Sequence, residues 1–432
     1  MFTKRKKGDK AVEQVQKVYF CIDMKSFFAS VECAERGLNP FEANLVVADG
    51  SRGDGAICLA VSPKLKSIGV SNRCRLFEIP KHLDVIIAKP RMRKYIEYAA
   101  DIYEIYLKYL SPDSIHVYSI DECFIDATDY VHVHEVSPKD FAKKLMDEIA
   151  VKTGIPATAG IGTNLFLAKV ALDITAKKVP DHIGYLDEET FKKTLWHHTP
   201  ITDIWGISRG TEKRLAKMYI TDLYGITLCS EKRLYKEFGI NAELLIDHAW
   251  GRETCTIQDI KNYKSKSRSL SNSQIFFHDY DFAGARLALT EMALTLCQSL
   301  ISERLIAGGV FVGIGYSKDV IPSTGGSMKM PRATSLFSYI KEYVLKLFDK
   351  FADKNTPIRK VSIGYYNLAD ESSEGYDLFT DIDSAKKEKR LEQTVIGIKQ
   401  KFGKNAMLRG MDLQEGATAR DRNKLIGGHN GE

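Results

Sequence analysis

Acidic residues end two apolar segments that lie far apart in the sequence. Residues 18–22 form one segment, which Asp23 follows, and residues 115–120 form the other, which Asp121 and Glu122 follow. A carboxylate at the end of a buried strand loses hydration, and several on one sheet edge repel one another unless a cation lies between them. We therefore expect a sheet that brings these strand ends side by side and holds a divalent metal ion at its edge.

The sequence around each acidic site predicts the local structure. Apolar residues 115–120 precede the acidic pair and the run 123–125 follows it, which predicts a tight β-hairpin with both carboxylates near its tip. After Asp23, Ser26 suits the N-cap of a helix that Gly37 ends. The alternative is that these acids are ordinary strand-end and turn residues, but the apolar flanks on both sides count against it.

Composition excludes several classes of protein. No segment approaches about 18 uninterrupted apolar residues, which excludes a membrane-spanning helix, and the basic N-terminus lacks the apolar segment of a secretory signal. None of the 8 cysteines lies in a C-x-x-C pair, which favours buried thiols in a reducing cytoplasm over zinc ligands or disulfides. The net charge of +6 is mild and does not by itself identify a nucleic-acid-binding protein. We expect a cytoplasmic protein.

Three segments resemble a known family. They are residues 22–32 (IDMKSFFASVE), 118–126 (YSIDECFID) and 159–169 (AGIGTNLFLAK). Their order and spacing resemble those of the Y-family translesion DNA polymerases, and the similarity extends from residue 16 to residue 430. The chain is most similar to the UmuC-like (ImpB/MucB/SamB) branch of the Gram-positive type.

The resemblance implies an α+β multidomain fold shaped like a right hand. Such a polymerase has a palm with a ferredoxin-like sheet, small fingers, a helical thumb with a helix-hairpin-helix motif, and a β-α-β-β-α-β little finger. The pattern of strands and helices along the little-finger segment predicts the same element order. The implied domains are a mobile leader (1–15), palm (16–26 and 86–180), fingers (27–85), thumb (181–255), linker (256–267), little finger (268–370) and C-terminal tail (371–432).

The resemblance also implies the chemistry. Asp23, Asp121 and Glu122 would be catalytic and would hold two Mg²⁺ ions, with the Met24 carbonyl oxygen as a further ligand. Magnesium prefers a few carboxylates with water and substrate phosphates, and two ions can hold both ends of an in-line phosphoryl displacement. The implied reaction is template-directed, low-fidelity transfer from a deoxynucleoside triphosphate to the 3′-hydroxyl of a primer, in DNA repair and the SOS response.

Four residues would contact the nucleotide. Phe28 lies five positions after Asp23, where the family places a ring that clashes with a ribose 2′-hydroxyl. Phe27 shares this segment, but it also fits a core residue on the inward face of the helix. Lys66 and Lys177 match basic residues that meet the triphosphate in this family; as isolated lysines they would be solvated surface residues.

The expected DNA contacts come from two places. Gly206, Ile207 and Ser208 resemble the turn of a helix-hairpin-helix, which directs backbone N–H groups and a helix N-terminus at a phosphate. An ordinary helical turn is the alternative. In the little finger, the basic residues expected along a DNA-binding face are Arg268, Arg332, Arg359 and Lys360, for each of which a plain surface charge is the alternative.

Two features mark the C-terminal segment. Tyr376, Leu378 and Phe379 belong to a stretch, residues 374–379, that resembles a degenerate sliding-clamp peptide without its usual leading glutamine. A local packing role is the alternative. Further on, the tail has the spacing of one apolar helix face, formed by Leu391, Val395, Ile398 and Phe402.

Two other functions compete with the polymerase interpretation. A catalytically inactive DNA-binding factor of the same fold would keep the thumb and little finger, but it would not need all three carboxylates. A nucleotidyl cyclase shares the palm hairpin and the metal chemistry, but it would need neither a DNA-binding hairpin module nor a chain of 432 residues.

Overall fold

The computed structural model describes residues 16–265, 268–317, 321–376 and 380–431. It divides into a first compact unit that ends at Tyr263 and a second that begins at Lys264. Among the residues that it describes, no helix has both the length and the apolar character needed to cross a membrane.

The first unit contains a five-stranded sheet and a smaller three-stranded sheet. Its strands are β1 (Tyr19–Met24), β2 (Leu45–Val47), β3 (Ala60–Val61), β4 (Ile86–Ala88), β5 (Ile115–Val117), β6 (Glu122–Asp126), β7 (Ala157–Gly162) and β8 (Ile183–Leu186). The large sheet has the order β5-β6-β1-β7-β8, in which β1 is antiparallel to both neighbours and β7 is parallel to β8. The small sheet has the order β3-β2-β4.

Helices cover both sheets and extend the unit beyond them. They are α1 (Phe27–Ala34), α2 (Pro63–Ser67), α3 (Met92–Leu107), α4 (Thr128–Val133), α5 (Pro138–Thr153), α6 (Leu165–Val170), α7 (Glu188–Leu195), α8 (Arg209–Ala216), α9 (Leu223–Leu228), α10 (Glu231–Phe238), α11 (Asn241–Ala249) and α12 (Ile257–Asn262). From α7 to α11 the chain is helical, and its buried side chains form one cluster with those of α6.

Strand β1 is buried on both faces because helices pack on either side of it. Phe20 faces α5, where its ring lies 5.7 Å from that of Phe141, and Cys21 lies in an apolar cluster with residues of α6. Helix α6 also crosses β7 closely. A Cβ atom at Gly160 would come within 2.1 Å of the Ala168 carbonyl oxygen, and one at Gly162 within 2.2 Å of the Ala168 nitrogen. Glycine is therefore required at both positions.

The start of α1 differs from the expected cap. Ser26 does precede the helix, but its backbone is left-handed (φ 50°) and its side chain makes no capping hydrogen bond. The Ser30 hydroxyl instead donates to the Lys25 carbonyl oxygen at 2.6 Å. Ser26 therefore occupies the predicted N-cap position, but its side chain does not cap the helix.

The second unit has the β-α-β-β-α-β element order that the sequence predicts. Its elements are β9 (Leu270–Tyr280), α13 (Phe282–Ser302), β10 (Leu305–Tyr316), β11 (Thr324–Thr334), α14 (Phe337–Phe351) and β12 (Ile358–Asp370). The antiparallel sheet has the order β11-β10-β12-β9, so the last strand lies between the two strands that α13 connects. Both helices pack into a core that they share with the sheet.

The C-terminal segment folds as part of this second unit. It contains α15 (Ile382–Phe402), α16 (Ala419–Arg422), β13 (Leu425–Ile426) and β14 (His429–Asn430). Helix α15 buries Glu392, which accepts hydrogen bonds from Gln298 of α13 at 2.8 Å and from Arg409, whereas Leu391 is 58% and Phe402 67% exposed. The predicted helix is therefore present, but Leu391 and Phe402 of its apolar face are exposed, because a buried polar network around Glu392 holds the helix.

Candidate active site

The large sheet brings the three predicted carboxylates together. Strands β1 and β6 are antiparallel neighbours whose register places Asp23 directly opposite Glu122. Asp121 comes immediately before β6, and its carbonyl oxygen accepts a hydrogen bond from the Met24 backbone N–H at 3.0 Å. Two strand ends from distant parts of the sequence therefore meet at one edge of the sheet.

The charges at this edge act on one another. Burial, together with the negative charges of Asp121 and Glu122, raises the pKa of Asp23 to about 7. The positive charge of Lys169 acts in the opposite direction and does not offset these effects. The three carboxylates thus form a site with more negative than positive charge.

Lys169 is a cation that contacts the acidic group directly. It is buried, and its ammonium lies 3.0 Å from the Glu122 carboxylate and 3.0 Å from that of Asp173. Glu122 also accepts a hydrogen bond from the Cys21 thiol at 3.0 Å. Sequence reasoning gave Lys169 no role, although it ends the segment 159–169; the signal was the i,i+4 pairing with Asp173.

The residues expected to hold a metal ion supply suitable ligands. Carboxylate and carbonyl oxygens are the hard donors that magnesium prefers. Within the described ranges, no group of three or more His, Cys, Asp or Glu side chains is arranged so that it could hold a metal ion, and the Ser119 hydroxyl donates to Asp121 at 2.6 Å. Magnesium would need only a few of these protein oxygens, because it keeps several waters and completes its coordination with substrate phosphates.

The adjacent phenylalanines of α1 have different surroundings. Phe27 is 2% exposed and belongs to the protein core, whereas Phe28 is only half-buried. The Phe28 ring stacks on that of Tyr95 from α3, with centroids 4.5 Å apart and planes at 17°. Phe28 is therefore the one of the two whose ring is available to a ligand.

Lys66 lies within electrostatic reach of both Asp23 and Lys177. Burial lowers the pKa of Lys66, the charge of Lys177 lowers it further, and the charge of Asp23 opposes both. The two lysines come from α2 and from the chain after α6, so the fold assembles a mixed acidic and basic site. Beside Asp121 and Glu122, α3 and the β5–β6 hairpin enclose a cavity of about 340 Å³.

The three residues of the expected hairpin turn divide into one core and two surface residues. Ile207 is buried, whereas Gly206 and Ser208 are exposed. Gly206 has φ 90°, which glycine adopts readily, and the Ser208 hydroxyl caps α8 by accepting from the Thr211 N–H at 3.3 Å. The turn thus points the N-terminus of α8 outward, and Ile207 anchors it.

The three arginines expected on a DNA-binding face of the second unit have different surroundings. Arg268 and Arg359 lie at the surface, where their nearest carboxylates are Glu303 at 3.7 Å and Asp279 at 3.4 Å. Arg332 lies over the Tyr339 ring of α14 at 4.4 Å.

The position of Arg332 corrects the expectation for this residue. Its guanidinium is on the helical side of the sheet, where it also donates to Thr380. Lys360 of β12 is paired in register with Ile275 of the neighbouring strand β9, and Ile275 is 67% exposed. Arg332 therefore does not share an open sheet face with Lys360, because its aromatic and hydroxyl partners hold it against α14.

The segment resembling a clamp peptide is only partly described. Tyr376 is 38% exposed, and Leu378 and Phe379 lie outside the described residues. Just before them, Glu374 accepts from Thr334 at 2.6 Å and pairs with Lys389 of α15 at 3.0 Å. The segment therefore begins at a fixed point between β11 and α15.

Two segments of the chain match models of a known protein family. The model of the impB/mucB/samB family matches residues 22–173, and that of its C-terminal domain matches residues 267–378. The putative UV-damage repair protein UvrX of Bacillus subtilis (strain 168) is 32% identical over 420 residues, which cover 96% of this chain and 98% of that protein.

Two further similarities extend over most of the chain. DNA polymerase IV 2 of Halalkalibacterium halodurans is 30% identical, over 96% of this chain and all of that protein. A solved Y-family DNA polymerase chimera, Dbh-Dpo4(243-245)-Dbh, has the same fold with a TM-score of 0.62 at 19% identity. The matched part is 81% of this chain and 99% of that one.

Proposed function

Because the chain belongs to the impB/mucB/samB family and is a DNA-directed DNA polymerase of the Y-family, we propose that it copies damaged templates by two-metal nucleotidyl transfer. The observation that carries the proposal is the register of β1 and β6, which sets Asp23 opposite Glu122 with Asp121 beside them. We place its activity in DNA repair and the SOS response.

Asp23, Asp121, Glu122 and the Met24 carbonyl would hold the two magnesium ions. Ions held there would supply a lower pKa for the primer 3′-hydroxyl and neutralisation of charge on the departing pyrophosphate. The protein itself supplies position and electrostatics. Lys169 holds the Glu122 carboxylate in place at 3.0 Å, and α6 fixes Lys169 by packing closely on β7.

Primer extension tests the proposed function directly. The full chain is incubated with a primer annealed to a longer template, magnesium and all four deoxynucleoside triphosphates. Added product bands that follow the template sequence are expected, both on intact DNA and on a template with a single abasic site. Binding of the same DNA without any extension would instead favour an inactive DNA-binding factor.

Lys66 and Lys177 would bind the triphosphate. Replacing Lys66 by Ala removes a positive charge that lies within reach of Asp23 and Lys177. The KM for the incoming nucleotide is expected to rise about tenfold, the range for a lost charge-assisted hydrogen bond. Single-nucleotide insertion measures it, with Lys64→Ala on the same helix as the matched control. An equal rise in both variants would contradict the assignment.

We place the DNA contacts on two surfaces of the chain. In the first unit, the outward N-terminus of α8 with Gly206 and Ser208 would meet a backbone phosphate. In the second unit, Arg268, Arg359 and Lys360 lie at the surface and would be the basic residues that contact DNA. Contacts of both kinds are to phosphate and do not depend on DNA sequence.

We propose that residues 374–379 bind the sliding clamp. Glu374 fixes the start of this segment, so the aromatic residues after it would extend from a defined point. Replacing Tyr376 and Phe379 together by Ala is expected to weaken binding to the organism's purified clamp at least tenfold in calorimetry, as the loss of two aromatic anchors would predict. Primer extension without the clamp should be retained. Unchanged clamp affinity would assign the segment to local packing.

A further inference from the structure

The half-buried Phe28 ring is part of a longer chain of contacts between α1 and α3. Phe28 stacks on Tyr95 at 4.5 Å between centroids, and the Tyr95 hydroxyl donates to the Glu32 carboxylate at 2.9 Å. Glu32 follows Phe28 by four residues on the same helix, so the two side chains lie one turn apart on one face. One helical turn of α1 therefore holds Tyr95 at both ends, by its ring and by its hydroxyl.

Glu32 is itself fixed on all sides. Its side chain is fully buried, and Arg91, immediately before α3, donates to both of its oxygens at 2.9 Å. Arg36 donates to the same carboxylate and to the Glu32 carbonyl oxygen, the latter at 2.8 Å. Burial alone raises the pKa of a carboxyl group, but the hydrogen bonds from Arg91, Arg36 and Tyr95 lower that of Glu32 below its usual value. The carboxylate is therefore charged and rigidly held.

These contacts restrict the position of the Phe28 ring. Tyr95 is fully buried, so its ring is a fixed surface against Phe28, which is itself only half-buried. Steric repulsion rises steeply as two groups approach each other. A ring that excludes a single hydroxyl group must therefore not move by even a few tenths of an ångström. Displacements of about 1 Å at a site can change rates by two orders of magnitude.

We propose that Glu32 is a positioning residue for sugar selection: through the Tyr95 hydroxyl it fixes the surface that keeps the Phe28 ring against the sugar of the incoming nucleotide. The inference rests on the proposed role of Phe28 in the polymerase reaction. Glu32 touches no substrate, and its effect passes through Tyr95 and Phe28.

The sequence offers a matched pair of tyrosines for the test. Tyr98, nearly one turn after Tyr95 on α3, donates its hydroxyl to Glu35 at 2.9 Å. Both hydroxyl groups thus bond α3 to an acid at the end of α1, but only Tyr95 contacts Phe28. Tyr95→Phe and Tyr98→Phe each remove one hydroxyl group and leave the rings in place. Glu32→Gln and Glu35→Gln form the second matched pair, since Arg91 contacts both carboxylates.

Single-nucleotide insertion with a deoxynucleotide and its matching ribonucleotide gives the ratio of the two kcat/KM values. We expect Tyr95→Phe to lower this preference about threefold to tenfold, the effect of one lost hydrogen bond, and Glu32→Gln to lower it at least as much. Tyr98→Phe and Glu35→Gln should keep it within about twofold. In a Phe28→Ala background, Tyr95→Phe should change the preference no further.

Each contrary result has a distinct meaning. A wild-type preference in both Tyr95→Phe and Glu32→Gln, with a reduced one in Phe28→Ala, would overturn the role of Glu32 and leave the polymerase function standing. Tyr95→Phe could also lower the preference for deoxynucleotides equally in the wild-type and Phe28→Ala backgrounds. Tyr95 would then act independently of Phe28, which also overturns the inference. A wild-type chain that extends no primer would end the proposed function and this inference with it. Thermal unfolding of each variant sets a common assay temperature at which all are folded.

Discussion

Replacing Asp23 by Asn is expected to abolish nucleotide addition while DNA binding is retained. The amide keeps the size of the side chain but removes the negative charge that the site would offer to a metal ion. Losing one group that stabilises charge in a transition state costs about a hundredfold to a thousandfold in rate. Single-turnover primer extension measures the loss, and electrophoretic mobility shift or fluorescence anisotropy measures DNA affinity. Substantial remaining synthesis would refute the metal assignment.

A second carboxylate of β6 provides the matched control. Asp126 lies at the opposite end of the strand from Glu122, accepts a hydrogen bond from the Thr128 N–H at 3.1 Å, and is 3.7 Å from Lys17. Asp126→Asn is expected to retain synthesis. Glu122→Gln should lose it as Asp23→Asn does, but it also weakens the pair with buried Lys169, so its unfolding midpoint should fall. Asp23→Asn is therefore the cleaner test.

DNA binding by the inactive variant also tests the proposed contacts. If phosphate contacts supply most of the affinity, the logarithm of the binding constant should fall linearly as the logarithm of salt concentration rises, with the same slope for wild type and Asp23→Asn. A slope near zero would contradict backbone binding by Arg268, Arg359 and the α8 N-terminus.

Local patterns were sufficient to predict much of the fold. The order of elements from β9 to β12 follows from apolar periodicity and turn residues. The strand ends at Asp23 and Glu122 could be paired because each closes an apolar run. These features depend on residues close in sequence, which a single sequence shows.

Long-range polar contacts could not be predicted in this way. Glu32 and Tyr95 are 63 residues apart, and no periodicity in either segment indicates that a hydroxyl group meets a carboxylate. The same limit applies at α15, where Glu392 finds Gln298 across 94 residues and so turns inward, while Leu391 remains exposed. A buried acid is stable only with its partners, and those are visible only in the folded chain.

Replacing Phe28 by Ala is expected to raise the incorporation of ribonucleotides at least tenfold relative to deoxynucleotides. The ring stacks on Tyr95 and is only half-buried, so its removal would leave space where a ribose 2′-hydroxyl would otherwise clash. A tenfold change in preference corresponds to about 1.4 kcal/mol of free-energy difference between the two nucleotides. Removal of a bulky side chain that blocks the 2′-hydroxyl should change this free-energy difference by more than that. Because Ala removes no charge near Asp23, deoxynucleotide insertion should continue.

A substitution of the neighbouring Phe27 tests whether the change in sugar preference is specific to Phe28. Phe27 is 2% exposed in the core, so Phe27→Leu is expected to lower the unfolding midpoint while the preference for deoxynucleotides is kept. Phe28→Ala should show the reverse pattern, with a small stability loss from the stacking contact, about 0.5–1.5 kcal/mol, and a large loss of sugar selection. Ratios of kcat/KM for matched nucleotide pairs, measured beside thermal unfolding, separate the two. If Phe27→Leu lowered the preference and Phe28→Ala did not, the gate would have to be assigned to Phe27, and Tyr95 would be a packing residue only.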